Sequence, residues 1–247
     1  PWAVAGVCAL AAAAALMAAF RPRAATTSTG LYAAIEPPPG AEFSSSYANP
    51  RPLTISRDGR RIAFCARHGQ GPDQLWVREL DSPDARALAG TEGAEQPFFA
   101  PDGSALGFFS YGKLRRVSVA GGPVTAIADA SDPRGGSWGD GVIVFAPVSR
   151  SGIYRVSPDG GVASAVTALD TTLNESTHRY PQFLPDGKRF LYLARRAGAG
   201  SGEQPIIYVA GLDARARTRV ISVASNVACG AGQLLFGQGG TLMAQPF

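Results

Sequence analysis

The sequence predicts an all-β protein, a β-propeller of four-stranded antiparallel blades preceded by one apolar helix. An x-D-G turn recurs along the chain, with its glycine at positions 59, 103, 141 and 187, and a degenerate fifth copy has Ala231 before Gly232. Short runs such as RIAF, VIVF and FLYL flank these turns, and they are too short and too rich in β-branched and aromatic residues for helices. Thirty Gly and nineteen Pro also suit strands and turns. Repeats of this length are typical of propeller blades.

The first element is the apolar segment Trp2–Phe20, and we expect residues 1–23 to form a transmembrane helix. Its nineteen uncharged residues would make about 28 Å of helix, close to the thickness of a bilayer core. A signal peptide and a buried soluble helix are the alternatives. Arg21-Pro22-Arg23 follows the segment where a signal peptide would need small residues. Residues 24–49, rich in Ala, Thr, Ser and Pro, are expected to be a linker between membrane and domain.

Residues 50–247 are predicted to form the propeller, with blade turns near 58, 102, 140, 186 and 231. In such a turn Asp bonds back to the following backbone, and Gly takes the left-handed position. The residues assigned to these structural roles are Asp58, Gly59, Asp102, Gly103, Asp140, Gly141, Asp186 and Gly187. Four copies are complete, and the fifth reaches only LMAQPF. We therefore expect a propeller truncated at its C-terminus, an incomplete ring with apolar surface exposed on that side.

Composition argues against several classes of function. The net charge of +4 comes from 21 scattered Arg and two Lys, without the basic stripe that nucleic-acid binding needs. Cys8, Cys65 and Cys229 lie far apart, so we expect separate thiols rather than a zinc site, and a Cys65–Cys229 bridge is the less favoured alternative. The two histidines, His68 and His178, are too isolated for a histidine-based metal centre.

One pattern could indicate catalysis. Gly135, Ser137 and Gly139 satisfy G-x-S-x-G, and Asp170 and His178 follow in the order of a hydrolase triad. A nucleophile elbow, however, leads from a strand into a helix, whereas VIVFAP after this pattern reads as a strand. We interpret the pattern as the third blade turn, and we predict no catalytic, cofactor-binding or metal-binding residue.

Two further groups of residues are candidates for binding. The four turn aspartates recur once per blade, but adjacent blades are too far apart for the short oxygen ligation of Ca²⁺, so capping of turns is the favoured interpretation. His178 and Arg179, in ESTHRYPQF, are candidate ligand-facing residues at the mouth of the propeller. The alternative for His178 is a structural role, fastening the segment that enters a blade.

The repeats also carry a family resemblance. The P-D-G turn followed by an aromatic-ending strand resembles the TolB-like propeller repeats of bacteria. Segments including SRDGRRIAF, LAGTEGAEQPFFAPDG, THRYPQFLPDGKRFLY and GTLMAQPF are most similar to the propeller that follows a single membrane span in certain bacterial transmembrane serine/threonine kinases. The resemblance covers about 43–247, and this chain contains no kinase motif.

The resemblance implies a function. It indicates a non-catalytic sensing or protein-interaction domain outside the cytoplasm, anchored in the bacterial inner membrane through residues 2–20, with a kinase domain upstream. Its partner would be a protein or small ligand at the propeller face. The alternatives are a TolB-like periplasmic scaffold without a kinase, and an accessory propeller of a hydrolase or lyase.

Overall fold

Each x-D-G turn joins two antiparallel strands into a hairpin, and each of blades 1 to 4 contains one such hairpin. The computed structural model describes residues 34–44, 53–198, 204–213 and 216–247. The helix predicted over 1–23 lies outside the described residues, as does most of the linker predicted over 24–49. Within the described ranges, no helix has the length and apolar character needed to cross a bilayer.

Blade 1 contains β1 (Ala41–Phe43), β2 (Leu53–Ile55), β3 (Arg61–His68), β4 (Gln74–Glu79) and β5 (Ala85–Ala87). Strands β1 and β2 pair with successive parts of the same edge of β3, so together they fill the place of one inner strand. Strand β1 falls inside the segment predicted as linker. The propeller therefore begins before residue 50, because Ala41–Phe43 find backbone partners on β3.

Blades 2 and 3 each contain four strands in sequential order. Blade 2 consists of β6 (Glu95–Phe99), β7 (Ala105–Ser110), β8 (Lys113–Ser118) and β9 (Thr125–Asp129). Blade 3 consists of β10 (Gly136–Gly139), β11 (Val142–Phe145), β12 (Tyr154–Val156) and β13 (Ser164–Ala165).

Blade 4 is entered through a short 3₁₀ turn, Thr171–Leu173, with Asp170 as its N-cap. Its strands are β14 (Glu175–Phe183), β15 (Arg189–Arg196), β16 (Ile206–Gly211) and β17 (Arg217–Ser222). Blade 5 has three strands, β18 (Val227–Gly230), β19 (Gln233–Gln238) and β20 (Thr241–Pro246). The prediction of four complete blades and a partial fifth is confirmed.

The turn chemistry explains why the hairpins form where they do. All five turn glycines have φ between 66° and 72°, the left-handed region that only glycine enters without strain. Where the turn has four residues, the aspartate accepts a hydrogen bond from the amide two residues on: Asp58 from Arg60 at 3.0 Å, Asp102 from Ser104 at 2.9 Å and Asp186 from Lys188 at 2.9 Å. The third turn is shorter, with only Asp140 and Gly141 between paired strands.

The core lies between blades rather than inside any one of them. Four apolar clusters join blades 1 and 2, 2 and 3, 3 and 4, and 4 and 5, and none of these clusters combines residues of blades 5 and 1. Arginines add contacts between blades: Arg61 donates to the carbonyl of Gly103 and Arg155 to that of Leu212. The scattered arginines of the sequence therefore help to connect neighbouring blades. Cys65 is buried and Cys229 is half-buried, and no disulfide joins them.

Candidate functional site

The inner strands of all five blades surround a central channel. The channel is a cavity of about 940 Å³, and its wall includes Leu53–Arg57, Gln96–Pro101, Gly135–Asp140, Pro181–Pro185 and Asn226–Ala231. Each inner strand runs toward its x-D-G turn, so the turns lie at one end of the channel. The starts of the inner strands form the opposite end, which we call the rim.

At the turn end, three of the four predicted aspartates, Asp58, Asp102 and Asp186, accept hydrogen bonds from the backbone of their own turns. Besides their backbone bonds, Asp58 accepts from the Ser56 hydroxyl at 2.6 Å and Asp102 from the Ser104 hydroxyl at 2.7 Å. Hydrogen bonds from the backbone amides of Arg189 and Lys188, followed by the Arg189 guanidinium, lower the pKa of Asp186 to about 2. Across the described residues, no group of three or more His, Cys, Asp or Glu could hold a metal ion. These carboxylates are used in forming turns.

Ser137 lies on inner strand β10, and a strand follows it rather than a helix. Its hydroxyl oxygen accepts a hydrogen bond from the backbone N–H of Phe183 at 3.0 Å, which connects blade 3 to blade 4. Glycines on either side of Ser137 allow close approach of blade 2 on one side and blade 4 on the other. A Cβ on Gly136 would lie 2.6 Å from the Phe98 ring, and one on Gly139 would lie 2.7 Å from the Phe183 ring. The G-x-S-x-G pattern is therefore a contact between blades.

His178 is completely buried and does not face the channel. One ring nitrogen, Nδ1, lies 2.7 Å from the Thr167 hydroxyl, and the other, Nε2, lies 3.0 Å from a carboxylate oxygen of Glu175. Both ring nitrogens thus contact groups other than the Ser137 hydroxyl. Ser137, Asp170 and His178 therefore do not form the arrangement of a catalytic triad. Burial lowers the pKa of His178, although Glu175 opposes this shift, and the ring is therefore neutral at pH 7.

Glu175 joins His178 to Arg217 of the outer strand. Arg217 contacts the Glu175 carboxylate at 2.8 Å and Asp170 at 3.3 Å, and its guanidinium lies 4.2 Å from the centre of the Tyr208 ring. The Tyr192 ring packs on His178 with centroids 4.7 Å apart, and burial raises the pKa of Tyr192 to about 12. We call these residues the blade 4 network. It fastens the segment that enters blade 4, and nothing in it opens to the channel.

Arg179, the second candidate ligand-facing residue, lies at the rim. In strand register, Arg179 corresponds to Arg134 of blade 3 and Glu95 of blade 2. The residue that follows each of these three has a left-handed backbone; these residues are Tyr180, Gly135 and Gln96, respectively. The Tyr180 amide donates to the Arg134 carbonyl at 2.7 Å, which holds the two arginine-bearing segments together. Arg134 and Gln96 were not predicted from the sequence.

The electrostatics of the rim are mainly positive around blades 3 and 4. Arg179 donates through Nε to the Thr177 hydroxyl at 3.1 Å, and Arg195 is paired with Thr177 across the sheet. Burial, followed by the charges of Arg134 and Arg195, lowers the pKa of Arg179. Arg134 itself forms an ion pair with Asp132. Burial raises the pKa of Glu95, an effect that Arg134 partly offsets. The arrangement suits a partner with carboxylate groups.

No family model matches the sequence, and no curated protein matches it. Solved structures do match. A protein described as TolB from Agrobacterium tumefaciens gives a TM-score of 0.58 at 15% identity, covering 69% of this chain and 64% of that one. TolB from Acinetobacter baumannii gives 0.56 at 14% identity, covering 75% of this chain and 51% of that one.

The propeller domain of Cps50 (Swd1) from Myceliophteria thermophila gives a TM-score of 0.57 at 11% identity, covering 79% of this chain and 65% of that one. The chain thus spans between about half and two thirds of the length of these three proteins. At these identities the comparisons show the fold: this chain is similar to TolB-like β-propellers.

Proposed function

We propose that this chain is a non-catalytic protein-interaction propeller, and that a segment of a partner protein enters its central channel from the rim. The observation that carries the proposal is the channel itself, a cavity of about 940 Å³ framed by five inner strands. Arg134 and Arg179 beside this opening favour a segment with acidic side chains. The two TolB-like structures support the propeller on which this site is built.

The finer proposal concerns the protein to which the propeller belongs. Its resemblance to the propellers of bacterial transmembrane serine/threonine kinases supports a membrane-anchored receptor whose propeller lies outside the cytoplasm and biases an attached kinase. The sequence encoded upstream of Pro1 tests this assignment. Kinase motifs there would support it, and a short basic segment alone would support a periplasmic scaffold.

Site-specific crosslinking tests the interaction. A photoreactive residue at Gln182, on the channel wall, should give discrete adducts with a partner protein in extracts of the native organism. The same residue at Ser164, on the exposed outer strand of blade 3, is the matched control. Adding Arg179→Glu should reduce the Gln182 adducts several-fold, because it reverses a charge at the rim. Identical adducts from both positions, or no adduct from Gln182, would contradict binding in the channel.

A further inference from the structure

Arg179 differs from six other half-buried arginines of this chain in what its guanidinium contacts. Each of those six reaches a carboxylate or a backbone carbonyl; they are Arg61, Arg78, Arg115, Arg116, Arg134 and Arg217. Arg179 donates instead to the Thr177 hydroxyl at 3.1 Å and interacts with the side chain of Tyr180. Neither partner is a carboxylate, so, within the part of the chain that the structure describes, no ion pair balances the charge of Arg179.

The charged groups around Arg179 and around Arg134 differ in sign. Arg134, the equivalent residue of blade 3, forms an ion pair with Asp132, and its charge also acts on the Glu95 carboxylate. Burial, together with the like charges of Arg134 and Arg195, lowers the pKa of Arg179. Water screens a half-buried charge less than an exposed one. An anion at the rim is therefore attracted more strongly to Arg179 than to Arg134.

The backbone at Tyr180 holds Arg179 in this position. Tyr180 has φ 52°, in the left-handed region that is disfavoured for residues with a side chain. Contacts with blade 3 maintain this conformation, because the Tyr180 amide donates to the Arg134 carbonyl at 2.7 Å. A Cβ on Gly135 would lie 3.0 Å from the Tyr180 Cα, so only glycine leaves room there. Strained residues held by their surroundings are common at binding sites.

The channel wall formed by blade 4 begins close to Arg179. Its first residue is Pro181, and the next is Gln182. The side-chain oxygen of Gln182 is buried and accepts no hydrogen bond from any described residue, which is uncommon in folded proteins. Because the side chain as a whole is only half-buried, rotation of its amide can present this oxygen to the channel. A backbone N–H of an extended segment is a suitable donor to it.

We propose that Arg179 binds the carboxylate of one Asp or Glu side chain of the segment that enters the channel, and that Gln182 accepts a hydrogen bond from the backbone of that segment. This inference rests on the proposed function and makes it more specific: Arg179, rather than Arg134, selects the acidic residue. Since Nε of Arg179 is held by Thr177, the carboxylate is bound through the terminal nitrogens of the guanidinium. Both contacts anchor the segment to blade 4.

Peptides selected on the full chain from a random phage-displayed library test this inference. A photoreactive residue at Ala228, on the channel wall, identifies the peptides that bind in the channel, and Ser164 is the control position. These peptides should share an Asp or Glu. Replacing it by Asn or Gln should weaken binding to the native chain at least about tenfold, but binding to Arg179→Gln less than about twofold. Such a difference is expected only if the two side chains contact each other.

Variants of the chain separate the two contacts. Arg179→Lys keeps the charge and loses the planar guanidinium, so it should bind the peptides more weakly than the native chain and more tightly than Arg179→Gln. Arg219→Gln, an exposed position on the outer strand of blade 4, is the matched control and should change binding less than about twofold. Gln182→Leu should weaken all channel-binding peptides by about fivefold, whatever their sequence, because a backbone contact is lost. Urea denaturation of each variant checks that it is folded.

The outcomes distinguish failure of this inference from failure of the proposed function. Channel-binding peptides with equal affinity for the native chain and Arg179→Gln would overturn this inference and leave the proposed function standing. The absence of any peptide that crosslinks from Ala228 would contradict both. Displacement of the peptides by inorganic phosphate, but not by chloride at the same ionic strength, would assign Arg179 to a free oxyanion and would also overturn the inference.

Discussion

Blades 4 and 5 are neighbours with the same hairpin pattern, yet they are stabilised in different ways. Blade 4 has an apolar interface on both sides and a network of Asp170, Glu175, His178 and Arg217 that ties its first strand to its last. Blade 5 packs on blade 4 through Leu234 and Phe236, while every residue of β20 is exposed. The comparison teaches that a blade of this fold derives its stability from neighbours on both faces.

The largest expected effect tests this difference at one equivalent position. Ile207→Ala in blade 4 should lower the free energy of unfolding by about 3–4 kcal/mol, because it leaves a cavity between blades 4 and 5. Leu242→Ala in blade 5 should change it by less than about 0.5 kcal/mol, because that side chain is 74% exposed. Urea denaturation followed by circular dichroism measures both. Similar losses from the two substitutions would show that blade 5 is closed by a neighbour.

The next effect concerns the blade 4 network. Arg217→Met should lower the free energy of unfolding by about 2–3 kcal/mol, because it leaves the buried Glu175 carboxylate without its strongest partner. Arg219→Met is the matched control on the same strand, since Arg219 is exposed and bonds to the Ser222 hydroxyl. The free energy of unfolding of that control should stay within about 0.5 kcal/mol of the native value. Equal effects from Arg217 and Arg219 would mean that the network contributes nothing particular to blade 4.

The smallest effect is a dependence on pH. Burial lowers the pKa of His178 in the folded state, so the unfolded chain binds a proton that the folded chain does not. Stability should therefore be complete above the unfolded histidine pKa of about 6.5 and should fall below it, by at most about 1.4 kcal/mol per pH unit. His178→Gln should flatten the change in urea midpoint between pH 7.5 and 5.5, and His68→Gln, an exposed site, should not. An unchanged slope in His178→Gln would assign the acid sensitivity elsewhere.

Local features of this protein could be predicted because they depend on neighbouring residues in the chain. Asp58 and Gly59 form their turn through contacts within four residues, and the same chemistry recurs near 102 and 186. The rim and the blade 4 network could not be predicted in this way. Ser137 meets the Phe183 amide 46 residues away, and Arg217 meets Glu175 42 residues away. Such contacts depend on how one blade lies on the next.

Leu75 and Leu242 show which features the sequence predicts and which depend on the tertiary structure. By itself, the sequence determined that both are leucines near the start of a third strand, because turn residues and alternating side chains set the hairpins locally. Only the tertiary structure decided that Leu75 is fully buried and Leu242 is 74% exposed. The reason is physical: burial depends on the strand and blade that pack alongside, and these come from distant parts of the chain.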